Sequence, residues 1–265
     1  MSTWLLNTAF TVIFVLASIA LFFFAVTRGA LILRGVMGNT KHQSAHVYPI
    51  YSDMRLIRLV DFQPIISAIL LFQYDRLVSA IVSRLRRMEL EDKDLLITSC
   101  AFGDVIPRVV GAAVETGTRR VLIADIVKNE LEHASSKLPA FADHVDLLEV
   151  DATAMHLADG SVQANVVFFL LHELPHHLKG KVLDEAARVL APGGKLFLAE
   201  FHRPDLWVLR VLSWTYFKVF EPFGLALWDS HDPLKHLEAM GGFSCERRTV
   251  FFGNFQIIVA TKNLV

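Results

Sequence analysis

From Leu5 to Val26 the chain reads LLNTAFTVIFVLASIALFFFAV, 22 residues without a charge. As a helix such a run spans roughly 30 Å, the thickness of a bilayer's hydrocarbon core, so it predicts one membrane-crossing helix. A cleaved secretory signal would carry basic residues ahead of a shorter apolar core, and Met1 to Asn7 contains neither Lys nor Arg. A buried core helix is the other alternative. Arg28, Arg34, Lys41, Arg55 and Arg58 all follow the run and no positive charge precedes it. This asymmetry puts the N-terminus outside and the remainder in the cytoplasm. The expectation is a single-pass protein of the inner (cytoplasmic) membrane, anchored through residues 1–28, with the bilayer itself as a partner.

The rest of the chain must then account for a composition that is 53% hydrophobic and 20% charged, with mean hydropathy +0.43. That is too apolar for an ordinary soluble domain and too polar for a polytopic membrane protein, which fits one anchor plus one globular domain. A net charge of -1 without long basic blocks argues against a nucleic-acid partner. Cys100 and Cys245, the only cysteines, give no disulfide framework and no four-thiolate metal site.

Residues 29–89 read as a connector followed by membrane-proximal or cap helices. The run LIRLVDFQPIISAILLF from Leu56 is interrupted by Arg58, Asp61 and Gln63 and split by Pro64, which disfavours one straight span. It is expected to form helices on the bilayer surface or over the active site, with a second span as the alternative. Tyr74 to Met88 carries Leu77, Val78, Ile81 and Leu85 at helical spacing. From residue 90 to 265, short apolar runs alternate with helical patterns. Strands are expected at Leu95–Ser99, Arg120–Asp125, Asp146–Val150, Asn165–Leu170 and Lys195–Phe201, the last entered through a Pro192-Gly193-Gly194 turn. Such alternation implies an α/β doubly wound, mostly parallel sheet. Cys245–Phe252 and Phe255–Lys262 flank Gly253-Asn254, a two-residue hairpin signal that closes the sheet with an antiparallel pair.

Ligands of such sheets sit outside the carboxyl ends of the strands. Four places qualify. The SCAFGD loop after the first strand contains Cys100, Gly103 and Asp104, where a glycine lets backbone approach a ligand or simply makes a turn. Asp125 ends the second strand 22 residues beyond Gly103, where a carboxylate accepts hydrogen bonds from ribose or caps the next helix; Ile126 adjoins it. Asp151 and Ala152 follow the third strand, to read an adenine edge or to form a solvated turn. After the fourth strand, His172, Glu173 and His176 spell H-E-x-x-H, but the zinc-protease motif needs both histidines on one helix. Pro175 breaks that helix. His172 and Glu173 remain as acid–base candidates, or with His176 as ligands of a divalent ion; otherwise they are polar rim residues.

The order of features from Leu95 to Lys262, with DATAMHLADGSVQANVVFFLLHELP and then EAARVLAPGGKLFLAEF, resembles the class I S-adenosylmethionine (SAM)-dependent methyltransferase superfamily. The resemblance implies a Rossmann-like seven-stranded sheet with an antiparallel C-terminal hairpin, and SAM as cofactor. More narrowly, FFLLHE, FHRP, EPFGLALW and FFGNFQ look like the rhodoquinone-biosynthesis family. That likeness implies amino transfer from SAM to an isoprenoid quinone, with manganese or another divalent metal. Where ordinary methyltransferases carry D/E-x-G-x-G-x-G, this chain has Ile97, Ser99, Ala101 and Gly103, so the acid that holds the SAM amino group is missing. LFQYDRL also departs from the Trp-Gly-Asn of the rhodoquinone proteins.

A SAM-dependent transferase acting on an isoprenoid quinone or a related membrane lipid is therefore expected, with rhodoquinone-type amino transfer as the leading reading and methyl transfer as the alternative. A second alternative is a non-catalytic subunit of a membrane complex that kept the fold. The mixed aromatic and charged segment Trp207–Trp228 suits a membrane interface or a lid. A nicotinamide oxidoreductase is disfavoured because G-x-G-x-x-G is absent.

Overall fold

The computed structural model describes residues 8, 10–15, 18, 51, 53–99, 102–219 and 221–264. The chain divides into two compact units, Met1–Ile50 and Tyr51–Val265. In the first, residues 10–15 are helical and expose Phe10, Ile13 and Phe14. Most of the expected span Leu5–Val26 lies outside the described residues.

The second unit begins with three helices. Asp53 caps α1 (Met54–Val60) by accepting the Arg55 N–H at 2.8 Å. Pro64 sits in the first turn of α2 (Gln63–Ile69), where its missing N–H is no loss. This is why the apolar run breaks into two helices there. In α3 (Tyr74–Leu85), Tyr74, Leu77, Val78, Ile81, Val82 and Leu85 are all buried. Among the described residues no single helix is long and apolar enough to cross a membrane. The pair α2 and α3, bent by 94°, passes by length and composition together, yet the apolar face of α3 is taken up by the protein core. Each of those aliphatic side chains contributes roughly 1.5–3 kcal/mol by leaving water, so the core accounts for the pattern.

Strand and helix then alternate: β1 (Asp94–Thr98), α4 (Val105–Glu115), β2 (Arg120–Asp125), α5 (Lys128–Ser136), β3 (Val145–Glu149), β4 (Val162–Phe168), α6 (His176–Val189) and β5 (Leu190–Phe201). After these come α7 (Trp207–Val219), α8 (Pro233–Met240), β6 (Phe243–Val250) and β7 (Phe255–Lys262). The seven strands run β3-β2-β1-β4-β5-β7-β6, with β7 antiparallel to both of its neighbours. This is the doubly wound sheet with a reversed C-terminal pair that the alternation implies.

Two local expectations are corrected. The Pro192-Gly193-Gly194 segment is not a turn preceding the strand. It lies inside β5, which begins at Leu190 and shifts register against β4 between Val162 and Ala164. Nor is the hairpin connection two residues long: Val250 pairs with Phe255, and the four residues 251–254 form the loop. The loop is opened by outside contacts. Asn254 accepts the His202 N–H through its carbonyl (2.9 Å) and the Ser213 hydroxyl through its side chain (2.6 Å), and the Phe252 carbonyl accepts the Asp205 N–H (2.8 Å).

If α3 is a core helix, Leu77→Ala should destabilise the domain by about 2–5 kcal/mol in denaturant titration. A loss well under 1 kcal/mol would show that this face packs against something other than the protein core.

Candidate functional site

Strand order reverses between β1 and β4, and in such sheets the crevice beyond the carboxyl ends of the strands at this switch point is where ligands bind. The residue following each strand, Ser99 (φ 79°) and Phe169 (φ 54°), is held in the left-handed region. Each still donates its N–H to the neighbouring strand, Ser99 to Ala124 and Phe169 to Ala199. Such a conformation costs a non-glycine residue about 1 kcal/mol or more and is typical of chain forced into a sharp turn at a site.

The loop after β1 is braced from two sides. Gly103 has φ 82°, and a Cβ there would run into the phenol of Tyr74. The buried Tyr74 hydroxyl donates to the Phe102 carbonyl (3.2 Å) and accepts the Val105 N–H (2.7 Å), occupying the start of α4. Asp61, at the corner between α1 and α2, accepts the Gly103 N–H at 2.6 Å. Lys137 from α5 reaches both Asp61 (2.7 Å) and the Gly103 carbonyl (3.0 Å), while His133 Nε2 lies 2.9 Å from the other Asp61 oxygen. Asp104, by contrast, is half exposed 3.6 Å from Arg108 and makes no cap hydrogen bond. Cys100 lies outside the described residues. Ile97 is buried in the apolar core.

At the end of β2, Asp125 is buried and accepts the Val127 N–H at 2.8 Å; Ile126 beside it is exposed. Asp151 accepts both the N–H (2.8 Å) and the hydroxyl (2.7 Å) of Thr153, closing a turn next to half-buried Ala152. Glu130, in the first turn of α5, is only 4% exposed. Its Oε1 finds no hydrogen-bond partner among the described residues. Burial, then the Asp125 and Glu173 carboxylates, lift its pKa to about 8 against the opposing pull of Lys137.

Beyond β4, a 3-10 turn spans Leu171–Glu173. Buried His172 sets Nδ1 3.1 Å from Glu200, a fully buried carboxylate of β5 that also accepts the Phe201 N–H at 2.8 Å. Burial opposes charge on His172, but Glu200 outweighs it and the pKa rises to about 9. Glu173 accepts the Tyr51 hydroxyl at 2.6 Å. Burial raises its pKa to about 7, partly offset by His172. Buried Lys179 donates to the Leu171 carbonyl, and burial lowers its pKa to about 8 against the attraction of Glu200. Tyr51 also stacks on Phe102 and accepts from Asn129 through its carbonyl, which puts it across the crevice.

His172, Glu173 and Asp125 thus share one electrostatic neighbourhood at the crevice. His176 does not join them: it stacks on His231 (5.2 Å) and meets Phe223 edge-on (5.7 Å). Among the described residues no three His, Cys, Asp or Glu side chains gather in a metal-holding arrangement. Sequence reasoning passed over Tyr51, Asp61, Glu130, Lys179 and Glu200. Two signals pointed towards them: the charge inside the apolar strand KLFLAEF, and Glu130, His133 and Lys137 at helical spacing on one face.

The sequence profile of the ubiE/COQ5 methyltransferase family matches residues 59–240. The chain belongs to that family. Relatives include the demethylmenaquinone methyltransferase of Bacillus licheniformis, 30% identical over 46% of this chain and 51% of the relative. The ubiquinone/menaquinone biosynthesis C-methyltransferase UbiE of Brucella anthropi is 34% identical over 40% of each. The chain spans about half the length or less of these two relatives. A putative SAM-dependent methyltransferase from Methanococcus maripaludis matches 84% of this chain and 97% of its own with TM-score 0.55 at 13% identity, a likeness of fold. The fold and the family are those of SAM-dependent methyltransferases. The residues present fit SAM: Asp125 offers a carboxylate where ribose binds in this fold, and Glu130 holds a buried carboxyl oxygen without a partner among the described residues.

The Glu130 pKa lies above that of an ordinary carboxyl, so the unfolded chain loses this proton first. Stability therefore falls as pH climbs from the ordinary carboxylate range through about 8. Glu130→Gln removes the effect. It should melt with the native chain near pH 5 and about 4 °C or more above it beyond pH 8; an equal offset at both pH values would contradict the assigned burial.

Proposed function

We propose that this chain is a membrane-anchored SAM-dependent methyltransferase whose acceptor is an isoprenoid quinone or a related lipid-phase aromatic, with its catalytic domain on the cytoplasmic side of the inner membrane. The observation that carries the reading is the pair of acid–base groups, His172 on Glu200 and Glu173 on Tyr51, beside a cluster of aromatic rings that reaches from the core to half-buried Phe169 and Tyr216. Phe201 meets Phe169, His172 and Phe217 edge-on, each at 5.0 Å, and Phe217 meets Tyr216 at 5.4 Å. Flat apolar rings beside charged groups suit a ring that is apolar on its faces and polar at its oxygens.

Two features support a lipid-phase acceptor. The first is the uncharged run Leu5–Val26, followed by basic residues. The second is α7, whose Tyr216 and Phe217 belong to that aromatic cluster while Trp207 (69% exposed), Val211 and Trp214 (50%) face outward. Lys218 lies over the Trp214 ring at 5.6 Å, and Arg210 is tied to the Pro204 and Asp205 carbonyls. Exposed tryptophans interleaved with anchored cations are the composition of a membrane interface. The names of the relatives add quinone substrates to the same side of the balance.

SAM supplies an electrophilic methyl group when bound. The chain's own part is proton handling. Glu173, near half-ionised at neutral pH, accepts the proton of the acceptor's ring hydroxyl, which raises electron density at the ring carbon; the Tyr51 hydroxyl holds its carboxylate in place. His172, kept charged by Glu200, donates a hydrogen bond to the opposite oxygen. One observation favours amino transfer as a second reading: buried Ile97 stands where most methyltransferases of this fold carry the acid that holds the SAM amino group.

Isotope tracing separates the readings. With full-length protein, a quinol acceptor and SAM labelled in the methyl carbon or in the amino nitrogen, methyl label should enter the product and nitrogen label should not. Nitrogen label in the product would establish amino transfer instead. Neither label, with SAM bound, would leave a non-catalytic subunit of the family.

A further inference from the structure

Among the described residues, the carboxyl of Glu130 serves neither the fold nor the proton chemistry. Glu130 projects from the first turn of α5 and is all but excluded from water, and its Oε1 has no partner among the described residues. A carboxyl in that state is costly unless something polar or cationic completes it. Its electrostatic neighbours are Asp125, Glu173, Asp61 and Lys137, which stand at the ends of β2 and β4 and on either side of the Gly103 loop. Lys137 is already shared between Asp61 and the Gly103 carbonyl, and its distance to Glu130 does not reach a hydrogen bond. The strand that ordinarily offers a carboxylate to the cofactor's amino group offers buried Ile97.

We infer that Glu130 is the carboxylate that binds the α-ammonium group of SAM, taking over from α5 the role that β1 has lost at Ile97. SAM is a cation at its sulfonium and a zwitterion at its methionine end, so an ammonium entering between Asp125 and the Gly103 loop meets a carboxyl prepared to pair with it. The ammonium completes the unpartnered oxygen, and Glu130 ionises on binding. The assignment rests on the chain binding SAM.

The test compares three adenosine ligands on the full-length protein by calorimetry: SAM, S-adenosylhomocysteine, and methylthioadenosine, which lacks the amino-acid end. Glu130→Gln and Glu130→Met should each weaken SAM and S-adenosylhomocysteine by about ten- to a hundredfold and leave methylthioadenosine unchanged. Asp125→Ala should weaken all three. Melting curves of the ligand-free Glu130 variants, at least as high as the native one, show that the loss is not unfolding. Unchanged SAM affinity in both variants would overturn the assignment, as would equal loss of all three ligands. Tighter SAM binding in Glu130→Gln would overturn it too, by placing Glu130 beside the methionine carboxylate. Failure of the native protein to bind any of the three would overturn the SAM reading together with it.

Discussion

The hydroxyl of Tyr74 ties the cap to the sheet. It is buried between α3 and the loop after β1, donating to Phe102 and accepting from Val105, and it fills the space that a side chain at position 103 would need. Three consequences follow from one group. The loop must carry glycine at 103, α4 must begin at Val105, and α3 must lie in the core, because Tyr74 reaches the loop only from a helix whose remaining apolar face is already packed. Asp61 closes the same loop from the α1–α2 corner. The helices before β1 are therefore part of the site's frame.

That frame explains how a loop so poor in glycine can still border a cofactor site. Under the proposed binding mode, the electrostatic functions of β1 are taken by flanking elements: Asp61 and Lys137 fix the loop backbone, while Asp125 at the end of β2 and Glu130 in α5 face the ligand. Buried charges are stable here because most are paired at hydrogen-bond distance, as in His172 with Glu200 and Glu173 with Tyr51. Among the described residues Glu130 departs from this pattern, since its Oε1 has no partner, and a buried carboxyl left so points to a ligand.

Much of the fold was legible in the sequence because period-two and period-3.6 apolar patterns report burial directly. β2 was placed at both ends, and the split at Pro64 followed from proline's geometry. The hairpin was misjudged because Gly253-Asn254 is a local signal, whereas the loop is set by long-range bonds from His202, Asp205 and Ser213. Candidate residues that follow a strand end, Asp125, His172 and Glu173, could be placed beyond the carboxyl edge of the sheet from the strand pattern alone. Asp61 and Tyr51 could not, since they come from segments distant in sequence and meet the crevice only through tertiary packing. Asp104 shows the converse, a residue in the right loop whose side chain turns to Arg108.

The proposed binding mode has carboxylates from β2 and α5, rather than β1, hold SAM at the β1–β4 switch point. A structure of the full chain bound to S-adenosylhomocysteine tests it most directly. The account expects the ribose hydroxyls on Asp125 and the ammonium on Glu130, each at about 3 Å. A ligand seated away from Asp125, or an ammonium held by groups other than Glu130, would contradict it.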